Sequence, residues 1–168
     1  MTRLISLCLI LMCIFSSCYS KDRDQQALEI MRNTLKAVNE NDLNKFYGNF
    51  DENSKEQSDE EQLRADVKKI YYLLTKYHDN NIDSLYWTTD HKVDEANKIE
   101  YVIELFEGFD TLSGYKKATL HLYFWNFEEI KVLGGYRLDI DIDAKYRGKL
   151  LDEGKLPTTD ELVQSLKK

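Results

Sequence analysis

The chain has 168 residues and a net charge of −7 at pH 7, and 42% of its residues are hydrophobic and 32% charged. This length supports one domain with a single core, and the composition is globular, which excludes a disordered or fibrous chain. The negative charge argues against a nucleic-acid partner, because binding phosphates requires clustered Lys and Arg.

The first 17 residues predict a targeting signal that is not part of the fold. Met1–Arg3 is a short positive segment, and Leu4–Phe15 is an apolar run of the length found in secretory signals. A membrane-spanning helix needs about 20 apolar residues, so this run is too short to cross a bilayer comfortably. We therefore assign residues 1–17 to a signal peptide.

The cysteines point to lipid anchoring. All three lie within the first 18 residues, so none remains for a disulfide or a cysteine metal site in the folded part. Residues 15–18, Phe-Ser-Ser-Cys, resemble the lipobox of bacterial lipoproteins, in which the signal is cut before the cysteine and the cysteine is lipidated. The resemblance implies a cell-envelope protein anchored to the outer membrane through Cys18, with possible exposure at the cell surface. A plain signal peptide or an uncleaved anchor is the alternative.

Residues 18–26 are predicted to form a tether, followed by one domain over residues 27–168. The charged segment Ser20–Asp24 resembles the surface-export signals of Bacteroidota lipoproteins, and a solvated spacer is the alternative. Cleavage before Cys18 also removes Arg3, which makes the mature chain more negative.

Three helices are predicted from apolar residues at helical spacing. The first covers Gln25–Asn39, the second is short and has Asp42 as its N-cap, and the third has Ser58 as its N-cap and ends near His78. The acidic segment 51–61 between the second and third helices is predicted to be a loop.

Beyond residue 81 the apolar period changes from 3.6 to 2, which predicts strands. The predicted strands are residues 84–89, 99–106, 115–127 and 136–143, with turns at 94–97 and 133–135. The last strand alternates strictly, so Tyr136, Leu138, Ile140 and Ile142 are expected in the core and Arg137, Asp139, Asp141 and Asp143 in water. Residues 144–157 are expected to be irregular. Thr158 and Glu161 match a capping box that starts a short terminal helix.

The strand Tyr115–Phe127 has two different faces, because successive side chains of a strand point in opposite directions. The first face is apolar and typical of a core: Ala118, Leu120, Leu122 and Phe124. The second face is aromatic and polar where a solvated strand would carry charges: Thr119, His121, Tyr123 and Trp125.

The direction of the second face depends on the pairing that follows it. If Ile130 and Val132 pair with residues 138 and 136, strict alternation places Glu128 in the core, and burying an unpaired carboxylate costs several kcal/mol. A bulge within residues 126–129 avoids this cost but turns His121 and its two aromatic neighbours inward. The sequence leaves both arrangements open.

Helices followed by about four antiparallel strands predict an α+β fold with the helices packed on one face of the sheet. Residues 35–43 with Phe46 and Phe50, and the segment Leu133–Leu138, resemble the nuclear transport factor 2-like superfamily. The resemblance implies a cystatin-like cone in which a curved sheet and the helices enclose a cavity. Members of this superfamily include isomerases, dehydratases and binding proteins, and no catalytic motif carries over to this chain.

The candidate ligand-binding residues are His121, Tyr123 and Trp125, with Tyr101 as a further inward-facing candidate. Aromatic rings stack on flat apolar groups, and the carboxylates of Glu100 and Glu104, which are expected across from these rings, accept hydrogen bonds. The alternative is that these rings pack under the terminal helix or in a homodimer interface formed by the sheet face.

Other candidates are weaker. Asp139, Asp141 and Asp143 invite Ca²⁺, but an extended strand does not curl around an ion, so a solvated face is favoured and no metal or other cofactor is expected. Neither His78 nor His91 has a motif partner, and no nucleophile elbow or phosphate loop is present.

The sequence therefore favours a lipid-anchored domain that binds a small ligand or a protein partner through the cone cavity or the outer sheet face. One alternative is an acid–base isomerase or dehydratase that uses His121 in the cavity. The other alternative is a structural subunit of an envelope complex.

Overall fold

The computed structural model describes residues 24–57, 59–90, 98–125 and 132–167. In these residues the protein has the predicted α+β fold, with helices and a four-stranded antiparallel sheet. Several predicted features lie outside the described residues: the signal peptide, Cys18, the N-cap Ser58, the turn at 94–97 and the bulge at 126–129.

Within the described residues, four α-helices precede the sheet and two follow it. They are α1 (residues 24–39), α2 (Leu43–Gly48), α3 (Glu52–Gln57), α4 (Glu60–His78), α5 (Ala144–Asp152) and α6 (Thr159–Ser165). The strands follow one another in space as they do in the chain: β1 (Tyr86–Asp90), β2 (Lys98–Glu107), β3 (Tyr115–Trp125) and β4 (Gly135–Ile142).

Side-chain caps define the ends of the predicted helices. Asp42 caps α2 by accepting a hydrogen bond from the Lys45 backbone N–H at 3.0 Å, and Thr158 forms the predicted capping box with Glu161. Asp59, and not the predicted Ser58, is the N-cap of α4; it accepts from two backbone N–H groups, so this helix begins at Glu60. Each cap satisfies donors that the first turn of a helix leaves unpaired.

Two segments that were predicted to be irregular are helical. The acidic segment 51–61 contains α3, and residues 144–157 contain α5. Their starts are marked by Asp51 and Asp143, whose carboxylates accept from backbone N–H groups three residues later at 2.8 and 2.9 Å. These helices are short and have no apolar stripe, so periodicity did not reveal them. Residues 24–26, predicted to belong to the tether, are part of α1.

The core lies between the helices and one face of the sheet. The apolar face of β3 is completely buried: Ala118, Leu120, Leu122 and Phe124 are each 0% exposed. Beside them in the sheet lies Ile103 of β2. Helices α1, α2 and α4 cover this face with side chains that include Leu35, Phe46 and Ile70. Burial of each large apolar side chain contributes about 1.5–3 kcal/mol.

The register of β3 differs from the pairing considered in the sequence. Tyr136 lies opposite Leu122 and Leu138 lies opposite Leu120, so Val132 is not the partner of Tyr136 and is instead 40% exposed. The register shifts fall at the other end of the sheet, between Glu104 and Phe106 and at the start of β3. From residue 119 to residue 123, pairing with β2 and β4 is regular and the side chains alternate.

The end of β4 also differs from the prediction. Ile142 was expected in the core but is 38% exposed. Asp143 was expected to continue the solvated strand face but is instead the N-cap of α5 and pairs with Lys116 at 3.3 Å. The last residue of β4 that packs on the core is therefore Ile140, two residues earlier than the alternation predicts.

A buried carboxylate fixes the connection between β2 and β3. Asp110 has a fully buried side chain and accepts hydrogen bonds from the Tyr72 hydroxyl at 2.6 Å, the Lys76 Nζ at 3.0 Å and the Leu112 backbone N–H at 2.8 Å. Burial by itself would raise the pKa of Asp110, but these hydrogen bonds outweigh it and the pKa lies below its ordinary value. The loop is thereby tied to α4.

We expect Asp110→Asn to lower the free energy of unfolding by about 2–4 kcal/mol, because it breaks a buried and charged hydrogen-bond cluster. Tyr72→Phe removes the hydroxyl donor to Asp110 and should lower the free energy of unfolding by about 1–2 kcal/mol. Urea unfolding measures both values.

The effect of Asp110→Asn should depend on pH. The pKa of Asp110 is lowered on folding. Its contribution to the free energy of unfolding is therefore complete above the pKa of the unfolded state, about 4, and is lost as the pH falls through the pKa of the folded state. The difference between the original chain and the variant should therefore shrink between pH 5 and strongly acid solution, and a constant difference would contradict this account.

Candidate functional site

Three of the four candidate residues lie on the outer face of the sheet, away from the helices. His121 and Tyr123 are half-buried and Trp125 is 37% exposed, whereas the intervening side chains are buried. The rings of His121 and Tyr123 are stacked with centroids 6.5 Å apart. The structure thus brings His121 and Tyr123 together and leaves Trp125 at the end of the strand.

Tyr101 lies on the opposite face and belongs to the core. It is 1% exposed, and its ring contacts Phe124 and Trp87 with centroids 5.6 and 5.7 Å away. Burial, together with the negative charge of Asp24, raises the pKa of Tyr101 to about 12. Tyr101 therefore does not share a site with His121.

The outer face is organised around the His121 ring. On β2, Glu100 places Oε1 2.6 Å from Nδ1 of the ring, and on β4, Asp139 places Oδ2 3.2 Å from Nε2. Arg137 lies directly opposite His121 in the register, and its Nη2 is 3.4 Å from the same Nε2. We call these four residues the His121 cluster.

The protonation of His121 decides which hydrogen bonds the cluster makes. A neutral imidazole has one N–H donor, so it can donate to Glu100 and accept from Arg137. An imidazolium has two donors and can donate to Glu100 and Asp139 together. His121 and Glu100 are each only 13% exposed at the side chain, so water weakens this pairing less than it would weaken a surface pair.

Arg137 balances the charge of Asp139. Its Nε and Nη2 lie 3.0 and 2.9 Å from the same carboxylate oxygen, Asp139 Oδ2. A guanidinium carries five N–H donors, so this contact leaves several of them for another molecule. The cluster consequently presents unused guanidinium N–H donors at the surface of the sheet.

The ring of Tyr123 already binds a cation. The Lys98 Nζ lies 3.3 Å from the ring centroid, a cation–π contact. Burial raises the pKa of Tyr123, and the negative charge of Glu100 adds to this effect. The ring face is therefore occupied by the chain's own lysine.

Trp125 lies against the backbone at Gly134, the residue before β4. A Cβ added at Gly134 would be 2.4 Å from the indole Nε1, closer than atoms approach. The Gly134 backbone N–H also donates to the Tyr123 carbonyl at 2.8 Å. Gly134 thus allows the indole to lie directly on the backbone before β4. A larger residue at this position would displace the ring.

The described residues form pockets between the helices and the sheet, and they differ in size. One lies between α4 and β4 and has a volume of about 320 Å³; its lining includes Leu63 and Tyr136 but not His121. A cleft between α1 and strands β1 and β2 has a volume of about 60 Å³, and its lining includes Met31, Leu35 and Trp87. Pockets for small ligands are usually about 300–1,000 Å³. The isomerase or dehydratase hypothesis requires His121 in such a cavity, and His121 lies on the opposite face of the sheet.

The partners of His121 on β4 were not predicted. Arg137, Asp139 and Asp141 were assigned only to a solvated face, and Lys98 was not considered. Asp139 is held by Arg137, and Asp143 caps a helix, which accounts for two of the three carboxylates considered for Ca²⁺. The signal that would have found the cluster is the register in which residue 121 faces residue 137.

Gly134→Ala should displace the Trp125 ring and expose it to water, because the new methyl group occupies its place. In a Trp87→Phe background, which leaves Trp125 as the single tryptophan, the emission maximum should move to longer wavelength. The matched control is Gly48→Ala, since nothing lies within 4 Å of a Cβ at that position. An unchanged spectrum for Gly134→Ala would refute the close contact.

Among the described residues, no helix has the length and apolar character of a membrane span. Comparisons of the chain with protein-family models, with curated protein sequences and with solved structures found no match.

Proposed function

We propose that the protein is a lipid-anchored component of the cell envelope that binds a protein partner through the outer face of its sheet. The observation that carries the proposal is the His121 cluster, a connected set of charged side chains held in place on three neighbouring strands. Isolated charges would be enough to keep a sheet face in water.

The position of His121 favours the outer face over the pockets as the binding surface. The cleft between α1 and strands β1 and β2, of about 60 Å³, holds only a few water molecules, and the wider pocket between α4 and β4 is not lined by His121. The outer face, in contrast, extends across all four strands, from Tyr86 on β1 to Arg137 on β4.

The residue types on this face favour a protein partner over a small molecule. On this face, Tyr86 of β1 is 68% exposed and Arg137 of β4 is also exposed. Tyr, Trp and Arg are enriched at the centres of protein interfaces, where they provide much of the binding energy. Charges of both signs in fixed positions add specificity and suppress wrong partners.

The anchoring part of the proposal rests on the lipobox-like segment that ends at Cys18. Two or more acyl chains hold a protein stably at a membrane. The described part of α1 reaches back to residue 24, so only a short segment separates Cys18 from the described fold and the partner is expected at the same membrane surface.

Photo-crosslinking in the native cells tests the binding surface. Benzoylphenylalanine at position 86 or 119 of the outer face should give a discrete adduct, and the same group at the exposed position 64 of α4 should not. Adding Arg137→Ala should reduce the adduct about tenfold if Arg137 is an interface hot spot; circular dichroism confirms that each variant folds.

The outcomes separate the alternatives. An adduct with the mass of two copies of this chain would identify the partner as a second copy and support the homodimer through the sheet face. Equal adducts from positions 64, 86 and 119, or no adduct from the outer face, would contradict the proposal.

A further inference from the structure

The chain enters the fold at one end of the sheet. The Tyr101 hydroxyl donates to the backbone oxygen of Asp24 over 3.5 Å, and the Tyr101 ring contacts Phe124, the residue before Trp125. Trp125 in turn pairs with Lys98, the first residue of β2. We call the end of the sheet that contains Lys98, Trp125 and Gly134 the proximal end.

The length of the preceding segment limits how far this end can be from a lipid anchor. Six residue steps separate Cys18 from Asp24, and in any conformation they span at most about 20 Å. Strand β3 has 11 residues and is therefore about 35 Å long. Cys18 consequently lies within about 20 Å of Asp24, which contacts the proximal half of the sheet through Tyr101, and the far end of β3 lies beyond that reach.

The exposed side chains at the proximal end suit a lipid surface. Trp125 is 37% exposed, and Val132, two residues before Gly134, is 40% exposed. Trp is enriched at membrane–water interfaces, because its indole is largely apolar and has one N–H donor. Phe109 and Leu112 are also exposed, but they lie in the loop between β2 and β3 at the far end of the sheet.

We propose that the proximal end faces the bilayer and that Trp125 contacts the lipid interface. This inference rests on the proposed anchoring at Cys18, and it adds an orientation: the sheet stands with Trp125 at the membrane and the loop of Asp110 away from it. The His121 cluster then lies above the membrane surface and is accessible to a partner from the side.

Quenching of tryptophan fluorescence by brominated lipids tests this orientation. The chain has two tryptophans, and they are almost equally exposed, Trp87 at 39% and Trp125 at 37%. They differ in position, because Trp87 pairs with Ile103 and its ring leans towards Tyr101, three residues along β2 from the partner of Trp125; that distance is about 10 Å. An aqueous quencher should therefore act similarly on both, and a lipid-borne quencher should distinguish them.

The measurement uses the full, lipidated chain purified from membranes and placed in phosphatidylcholine vesicles with or without bromines on the acyl chains. A zwitterionic lipid avoids repulsion of the acidic protein. In a Trp87→Phe variant, bromination should lower the emission of Trp125 about twofold, because an interfacial side chain lies within several ångströms of the acyl chains. In a Trp125→Phe variant, the emission of Trp87 should change little.

If Trp87→Phe does not fold, the difference between the original chain and Trp125→Phe gives the same quantity. Equal quenching of the two tryptophans, or quenching of Trp87 alone, overturns the orientation while leaving the anchoring intact. The anchoring has its own readout: a palmitate analogue should label the original chain and not Cys18→Ser. Label that survives this substitution overturns both the anchoring and the orientation that rests on it.

Discussion

Complete burial of one face of β3 fixes the position of everything else in the candidate site. Leu120, Leu122 and Phe124 have no exposed surface, and a slip of one residue would bring all three to solvent. Each exposed side chain would cost about 1.5–3 kcal/mol, and the slip would also bury His121 and Tyr123 beside charged neighbours. The core therefore determines that these two residues lie on the outer face.

The polar contacts act at the two ends and at the centre of this arrangement. On the outer face, the His121 cluster links β2, β3 and β4 through side chains. At the far end of the sheet, Asp110 ties the loop between β2 and β3 to α4. At the proximal end, the indole of Trp125 covers Gly134. The result is an outer surface whose groups are positioned before any partner arrives, which lowers the entropic cost of binding.

The features that follow from local chemistry were predictable from the sequence. The cap at Asp42, the capping box of Thr158 with Glu161 and the two faces of β3 are all as predicted. Helices α3 and α5 were missed, because their starts depend on single aspartate caps and they have no apolar period. Short capped helices leave little signal in hydrophobic periodicity.

The features that depend on register were not predictable. Tyr101 was grouped with His121, yet it lies opposite Leu122 and therefore on the core face. Arg137 and Asp139 were assigned to solvent, because nothing local shows that they lie across from His121 and Thr119. Pairing between strands is a non-local property, and a shift of one residue exchanges the faces. The candidate site consists mainly of such cross-strand neighbours.

The central claim is that residues 119, 121 and 123 face outward, and thiol labelling tests it most directly. A chain that begins at residue 19 contains no native cysteine, so Ala118→Cys and Thr119→Cys each introduce one reporter on neighbouring residues of similar size. The account predicts rapid labelling at position 119 and labelling at least about 100-fold slower at position 118, because a buried thiol reacts only after local opening. Labelling of position 118 as fast as that of position 119, or faster, would contradict it.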